Sequence, residues 1–380
     1  MSTTFANRGS RPSPQSRLLL FVRERLSVLD PPLLVLITLL AMTGLMTLYS
    51  AGADFPWRFT DQLRNFAVAA AVMFVFASIP PTVLMKFALP AYAVGVVLLI
   101  GVELVGVTVK GAQRWLNLGI VTIQPSEIMR LALPLMLAWY FQKREGQIGS
   151  VDFLVAATLV AVPVVLIIHQ PDLGTALLVL AAGAFVIFFA GLPWKWLVSL
   201  AVAGLAFLPV AWTLMHDYQR QRVLTLIDPS TDPLGKGFHT LQAMIAIGSG
   251  GVFGKGWMQG TQTHLEFIPE RTSDFIFAVY SEEFGLVGNA VLLVLLFALI
   301  TRALTISLGA ATLFGRLLAA AIALIIFTYC FVNMGMVSGI LPVVGVPLPF
   351  MSYGGTALVT LGMACGMLMS IQRHRKLVQT

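Results

Sequence analysis

Charge is scarce in this sequence. Of 380 residues only 11% are Asp, Glu, Lys or Arg, against about 25% in an ordinary soluble domain. There are two cysteines, Cys330 and Cys365, both inside long apolar runs, so neither a disulfide framework nor a zinc site is indicated. No basic tract is interleaved with aromatics in the way nucleic-acid binding requires. The first 31 residues hold no apolar core of the kind a signal peptide needs. Ten-residue alternation of apolar and polar positions is also missing, which excludes an outer-membrane barrel.

What is present is apolar. Hydrophobic residues make up 58% of the chain. A bilayer core about 30 Å thick takes roughly 20 apolar residues per helix. Runs near 33–50, 63–79, 84–107, 126–141, 153–169, 174–191, 195–215, 275–300, 315–337 and 354–371 meet or approach that length. The fold class expected is an all-α polytopic membrane protein with about ten transmembrane helices. A cytoplasmic tail is expected over residues 1–31, one transmembrane domain over 32–372 and a short cytoplasmic tail over 373–380. One long outer loop, residues 216–273, joins the seventh helix to the eighth. Both termini then lie on one side. Fourteen of the 24 basic residues fall in the segments of that side, against five in the short segments of the other. The positive-inside bias makes that side cytoplasmic.

Ionisable groups near membrane depth are costly, and by default they suggest function. Four places on the outer side stand out. Asp274 lies where the long loop meets the eighth helix; helix-dipole placement explains it, and so does a carboxylate set to act as general base. Glu127 and Arg130, three apart in IQPSEIMR, share a helix face. They read equally well as an ion pair or as a site. Asp172 in HQPDLGT has a turn explanation through its Pro and Gly neighbours. The fourth feature is a set of cations, Lys110, Arg114, Arg220, Arg222, Lys236, Lys255 and Arg271, which runs against the charge bias and points to a phosphate-bearing partner. Backbone N–H groups of GSGG and GKG, residues 248–256, could add donors to such a phosphate. The uncharged segment SGILPVVGVPLPFMSYGGT reads either as re-entrant, buried in protein, or as an ordinary tight loop.

Taken in order, KGAQRWLNLG, QPSEI, QPDLGTA, DYQRQRV, DPLGKGFH, IAIGSGG, GKGW, IPERTSDFIFAV, SEEFGLVG and VNMGMVSGILPVVGVPLPFMSYGGT resemble the SEDS family from the first span to the last. DYQRQRV, GKGW and GTQ are more similar to the RodA branch than to the division branch, FtsW. The resemblance implies a peptidoglycan glycosyltransferase. It would polymerise lipid II into glycan strands at the periplasmic face of the inner membrane, for cell elongation and rod shape. It implies partnership with a class B penicillin-binding protein and the elongation machinery. Asp274 matches the family's catalytic acidic residue, with Ser273 where Thr is common. Glu127 and Arg130 match the QPSE pair, with Arg where many members have Lys, and Asp172 matches the acidic PDLGT position. Lys110, Arg114, Arg222, Lys255 and Arg271 are the expected substrate-binding cations, with Arg222 and Arg271 foremost and Lys236 a bystander in a polar turn. No cofactor is firmly implied. A divalent cation, Mg or Mn, would fit a pyrophosphate leaving group, shared with the substrate phosphates. A second class of reading is a lipid II flippase, which would bind near the midplane and show broken helices or inverted repeats. A third is a scaffold for the wall machinery, which leaves the outer charges unused.

Overall fold

The computed structural model describes residues 28–109, 112–117, 122–170, 172–215, 220, 224, 236–265 and 270–375. Its helices are α1 (Pro31–Ala51), α2 (Pro56–Ser78), α3 (Pro81–Val105), α4 (Pro125–Lys143), α5 (Ser150–His169), α6 (Leu173–Phe189), α7 (Trp194–Leu214), α8 (Lys236–Ser249), α9 (Thr261–His264), α10 (Ile276–Leu308), α11 (Leu313–Val337) and α12 (Gly355–Arg373). Six of them, α1, α3, α5, α10, α11 and α12, are long and apolar enough to cross a membrane. The chain is therefore a helical, multi-pass membrane protein by composition and architecture.

Local sequence sets the helix starts. The first four helices open on proline at the first turn, where the missing N–H costs nothing. Asp30, Asp172 and Thr312 cap α1, α6 and α11 by accepting backbone N–H groups at 3.1 Å in each case. Between bilayer-facing helices, contact depends on small residues rather than on the hydrophobic effect. α12 sets Gly362 and Gly366 against α2; a Cβ there would lie 2.6 Å from the Ala69 carbonyl and 2.5 Å from that of Met73.

Three features depart from the expected helices and loops. Residues 107–123 are not plain loop: β1 (Val107–Val109), β2 (Ala112–Asn117) and β3 (Thr122–Ile123) form a small antiparallel sheet in that order. The long loop contains a helix, α8, which packs on α10 and α11. Lys236 opens that helix instead of sitting in a turn. And α10 is not continuous. At Gly285 the backbone turns to φ 63°, ψ −159°, a conformation essentially restricted to glycine.

The break in α10 frees backbone groups, and residues 250–256 take them up. The N–H groups of Leu286 and Val287 donate to the carbonyls of Gly251 and Val252, at 2.9 and 3.0 Å. Those of Lys255 and Gly256 donate to the carbonyls of Glu282 and Glu283, both at 3.0 Å. Two backbones can meet this closely only without side chains between them. A Cβ on Gly254 would fall 2.1 Å from the Glu283 carbonyl oxygen.

The segment between α11 and α12 enters the bundle. Val346, Leu348, Phe350 and Met351 are buried, and a Cβ on Gly44 would lie 2.6 Å from both the Met351 Cα and the Phe350 carbonyl oxygen. Gly44 is two helical turns, ~10 Å, inside the end of α1, so the chain descends that far and returns, surrounded by protein as irregular backbone at such depth must be. Of the two readings of this segment, the re-entrant one describes it.

Gly254 gives a direct test of the pairing. Gly251 has a comparable positive φ, 57°, but open space around its Cβ position. Gly251→Ala should cost about 1–2 kcal/mol through backbone conformation alone. Gly254→Ala meets backbone as well and should cost markedly more, seen as a larger drop in thermal unfolding temperature in detergent. Equal drops would mean that the pairing does not hold α10 at its break.

Candidate functional site

Asp274 lies in the turn before α10, half-exposed, and its main chain is fixed from two sides. The Asn333 amide of α11 donates to the Asp274 carbonyl at 2.9 Å and to the Val346 carbonyl at 2.7 Å. One residue back, the Ser352 hydroxyl donates to the Ser273 carbonyl at 2.6 Å, while itself accepting the Leu348 N–H at 2.7 Å. The Tyr353 N–H donates to the Thr272 carbonyl at 2.8 Å, and the Arg58 guanidinium to the Thr272 hydroxyl at 2.6 Å. The Gln62 amide holds the Ser352 carbonyl at 3.0 Å. The turn that carries the carboxylate is thereby locked to the re-entrant segment. Gly345 of that segment has φ 81°, and a Cβ on it would lie 3.3 Å from Asp274 Oδ2. Glycine there leaves the carboxylate room.

The second group of predicted residues is assembled from α4, α6, α11 and the small sheet. Glu127 and Arg130 are both buried and pair at 2.6 Å. Arg130 also donates to the Tyr329 hydroxyl and, at 3.2 Å, to the Thr175 hydroxyl. That hydroxyl in turn donates to Asp172 at 2.8 Å. Arg114, from β2, lies 3.4 Å from the same Asp172 oxygen and is 32% exposed. Glu127, Arg130, Thr175, Asp172 and Arg114 thus form one polar chain from the protein interior to its surface. Buried charge persists when it is paired in this way.

One segment joins the two groups. A Cβ on Gly174, at the start of α6, would lie 2.0 Å from Val344 Cγ1. The next residue, Gly345, is the one that faces Asp274. Residues 344–346 are therefore wedged between the Asp172 end of α6 and the catalytic candidate, so a shift at either is felt at the other.

The cations named from the sequence are not equivalent. Lys255 is committed to Glu282: its ammonium lies 2.7 Å from Glu282 Oε1 and 2.7 Å from the Thr261 hydroxyl. Glu282 has no exposed side-chain surface, and it also accepts from the Gln262 N–H at 2.9 Å and from the Thr263 N–H and hydroxyl at 3.3 and 3.1 Å. Glu283, its neighbour, accepts from the Ser50 hydroxyl and, at 3.2 Å, from the Met258 N–H. Arg271 is 7% exposed; it donates to the Ala51 carbonyl at 2.8 Å and pairs with Asp54, tying the Asp274 turn to α1. Arg220 caps the end of α7, donating to the Trp212 and Thr213 carbonyls at 3.1 and 2.8 Å. Lys110 and Arg222 lie outside the described residues. The glycine-loop N–H groups suggested as phosphate donors are engaged with carbonyls at Gly254, Lys255 and Gly256. Sequence reasoning passed over Asn333, Gln62, Ser352, Tyr329 and the Glu282–Glu283 pair. Two adjacent acids inside a predicted span were the available signal for the last of these.

Among the described residues, no three His, Cys, Asp or Glu side chains gather in a metal-binding group. The arrangement offers one half-exposed carboxylate, rigidly held, beside an electrostatic chain that ends in a half-exposed Arg.

Removing one partner of a buried ion pair leaves an uncompensated charge, at about 3–5 kcal/mol. Lys255→Met should therefore destabilise the protein strongly, and Lys255→Met combined with Glu282→Gln should recover part of the loss. Thermal unfolding of the two variants in detergent checks this. A double variant no more stable than the single one would show that Lys255 is not there to neutralise Glu282.

Comparison with known proteins places this architecture. Residues 29–377 match the model of the FtsW/RodA/SpoVE family of cell cycle proteins. The peptidoglycan glycosyltransferase MrdB of Escherichia coli K12 is 48% identical over 351 residues, covering 92% of this chain and 95% of that protein. Stage V sporulation protein E of Bacillus subtilis is 35% identical, over 90% of this chain and 97% of that one. A chain of a peptidoglycan synthase complex, solved for the coordination of polymerization and crosslinking, superposes with a TM-score of 0.80 at 32% identity, covering 92% and 98%. The rod shape determining protein RodA of Thermus thermophilus superposes with a TM-score of 0.70 at 29% identity, again over 92% and 98%. This chain belongs to the FtsW/RodA/SpoVE family.

Proposed function

We propose that this chain is a peptidoglycan glycosyltransferase that polymerises lipid II at the outer face of the cytoplasmic membrane, with Asp274 as general base. The activity follows its 48% identity to an enzyme of that name across nearly the whole of both chains. The observation that carries the mechanism is the anchoring of Asp274. Its main chain is held by Asn333 and its turn by Ser352 and Tyr353, while its side chain stays half-exposed. A proton acceptor in a chemical step has to be both fixed and reachable.

In this reading ten helices cross the bilayer, with both termini cytoplasmic, and the Asp274 end of the bundle faces the periplasm. The 4-hydroxyl of an acceptor GlcNAc gives its proton to Asp274, and its oxygen attacks the anomeric carbon of the donor MurNAc. The bond from that carbon to the pyrophosphate breaks, and undecaprenyl pyrophosphate leaves with the electron pair. An α-linked donor gives a β-1,4 product by inversion, so one carboxylate suffices and no covalent intermediate is needed. Arg114 is the described cation best placed for the phosphates, being half-exposed at the outer end of the Asp172 chain. Lys255 and Arg271 serve instead to hold the scaffold. Glu127, Arg130 and Asp172 act through Arg114 and through the 344–346 wedge. A divalent cation would be held mainly by the substrate phosphates and would neutralise charge on the leaving group.

The neighbour solved in a complex that couples polymerization to crosslinking supports a transpeptidase partner, a class B penicillin-binding protein of the elongation machinery. The flippase reading gains one observation, the break in α10, since broken helices are common in transporters. That break, however, is closed by backbone pairing with residues 250–256.

Asp274→Asn keeps size and removes the base. Purified protein with lipid II should lose polymer at about 10²–10⁴-fold, with unchanged gel-filtration behaviour. Wild-type yield from that variant would refute the assignment, and no polymer from the wild-type chain with its partner would favour the flippase. If the cation is shared with the phosphates, a chelator should depress the yield; undiminished polymer would remove the metal.

A further inference from the structure

The end of the bundle opposite Asp274 carries a second feature. α6 starts beside Asp172 at the Asp274 end and therefore finishes, at Phe189, at the other. α10 likewise ends there at Leu308, and α11 returns from Leu313. Between these three helix ends lies a groove of about 460 Å³, walled by Phe189, Leu304, Leu308, Leu313 and Leu317, with Arg316 at its mouth.

Two of the arginines at this end are held by carboxylates. Arg302 makes a two-pronged pair with Asp30, at 2.9 and 2.5 Å, and Arg144 lies 3.3 Å from Asp152. Arg316 is exposed and its guanidinium pairs with no carboxylate among the described residues. Its backbone is nonetheless pinned, because the Ser307 hydroxyl donates to the Arg316 carbonyl at 2.7 Å. The short turn after Phe189 leads to Trp194 and Trp196, both exposed and flanking Lys195. Tryptophans alternating with a cation mark the level where bilayer meets water. The groove therefore opens at headgroup depth, with an apolar floor toward the acyl region and one unclaimed guanidinium at the rim. A planar guanidinium suits phosphate oxygens, which it can grip with two parallel hydrogen bonds.

We propose that this groove is a binding site for an anionic phospholipid of the adjoining leaflet, its phosphate on Arg316 and an acyl chain lying along Leu304 and Leu317. The charge on Arg316 selects an anionic lipid over a zwitterionic one, and the groove selects a lipid over free phosphate. The proposal rests on the membrane embedding of the chain and not on its chemistry, so it can fail while the glycosyltransferase reading stands.

The test uses the full chain in detergent with equal amounts of phosphatidylglycerol and phosphatidylcholine, read by native mass spectrometry. Wild type should retain one phosphatidylglycerol in preference. Arg316→Ala should lower that preference about tenfold, the ratio that 1.4 kcal/mol provides. Leu304→Trp, which narrows the groove and keeps the charge, should lower retention of both lipids. Arg316→Lys should retain part of the preference, separating charge from the planar fork. Inorganic phosphate should not compete. Equal retention of the two lipids by wild type would overturn the proposal, as would an unchanged ratio in Arg316→Ala. A groove found filled by a partner's transmembrane helix, through cross-links from residue 317 with no lipid retained, would overturn it too. Should Arg316→Ala fail to fold, Leu304→Trp and Arg316→Lys decide the matter alone.

Discussion

In a bilayer, a backbone group without a partner has no water to turn to, and the interruption of α10 at Gly285 exposes several such groups at once. The pairing of residues 250–256 with that interruption settles them, and much else follows from it. It ties residues 250–256 of the long connecting segment to α10. It brings Lys255 to Glu282 and Met258 to Glu283, so that two buried acids become anchor points rather than liabilities. It also fixes the start of α10, two turns before the break, from which the Asp274 turn projects. Glycines 254 and 285 are needed because the two strands of backbone pass within contact distance; any side chain there would hold them apart.

A second tie completes the frame. The re-entrant segment between α11 and α12 grips the Asp274 turn through Ser352, Tyr353 and the shared amide of Asn333. Its residues 344–346 also press against the start of α6. The half-exposed carboxylate and the Glu127–Arg130–Thr175–Asp172–Arg114 chain are thus held in one rigid relation by an uncharged, proline-rich stretch. Rigidity of this kind suits the general-base role proposed for Asp274.

The cations illustrate a limit of reading charge from sequence. Counted along the chain, Lys255 and Arg271 look like parts of an anion-binding surface. In three dimensions one neutralises a buried glutamate and the other reaches the Ala51 carbonyl and Asp54. The same cationic residue type serves opposite ends, and what decides between them is whether a carboxylate or carbonyl lies within its reach. Arg316 is the converse case: in the structure its exposed guanidinium lies over an apolar groove with no carboxylate partner among the described residues.

The amino-acid sequence by itself determined the membrane class and the candidates Asp274, Glu127, Arg130 and Asp172, and it placed the helix ends to within three residues except at the start of α2 and the end of α10, which extend seven and eight residues further. Apolar length, proline at first turns and the rarity of charge are local quantities, and local quantities survive in one dimension. It also carried the family resemblance, because long motifs in fixed order are specific. The small sheet at 107–123, helix α8 inside the supposed loop, the break at Gly285 and the work of Asn333, Gln62, Ser352 and Tyr329 were decided only by the tertiary structure. The sheet's strands pair at separations of 3 to 8 residues, a short-range pattern that counting apolar length does not read. The others reach further: α8 and the break at Gly285 depend on distant segments closing over them, and Asn333, Gln62, Ser352 and Tyr329 each meet a partner between 59 and 292 positions away. No window of sequence contains both halves of such an interaction, so the fold alone can say which polar groups are satisfied and which are left for substrate.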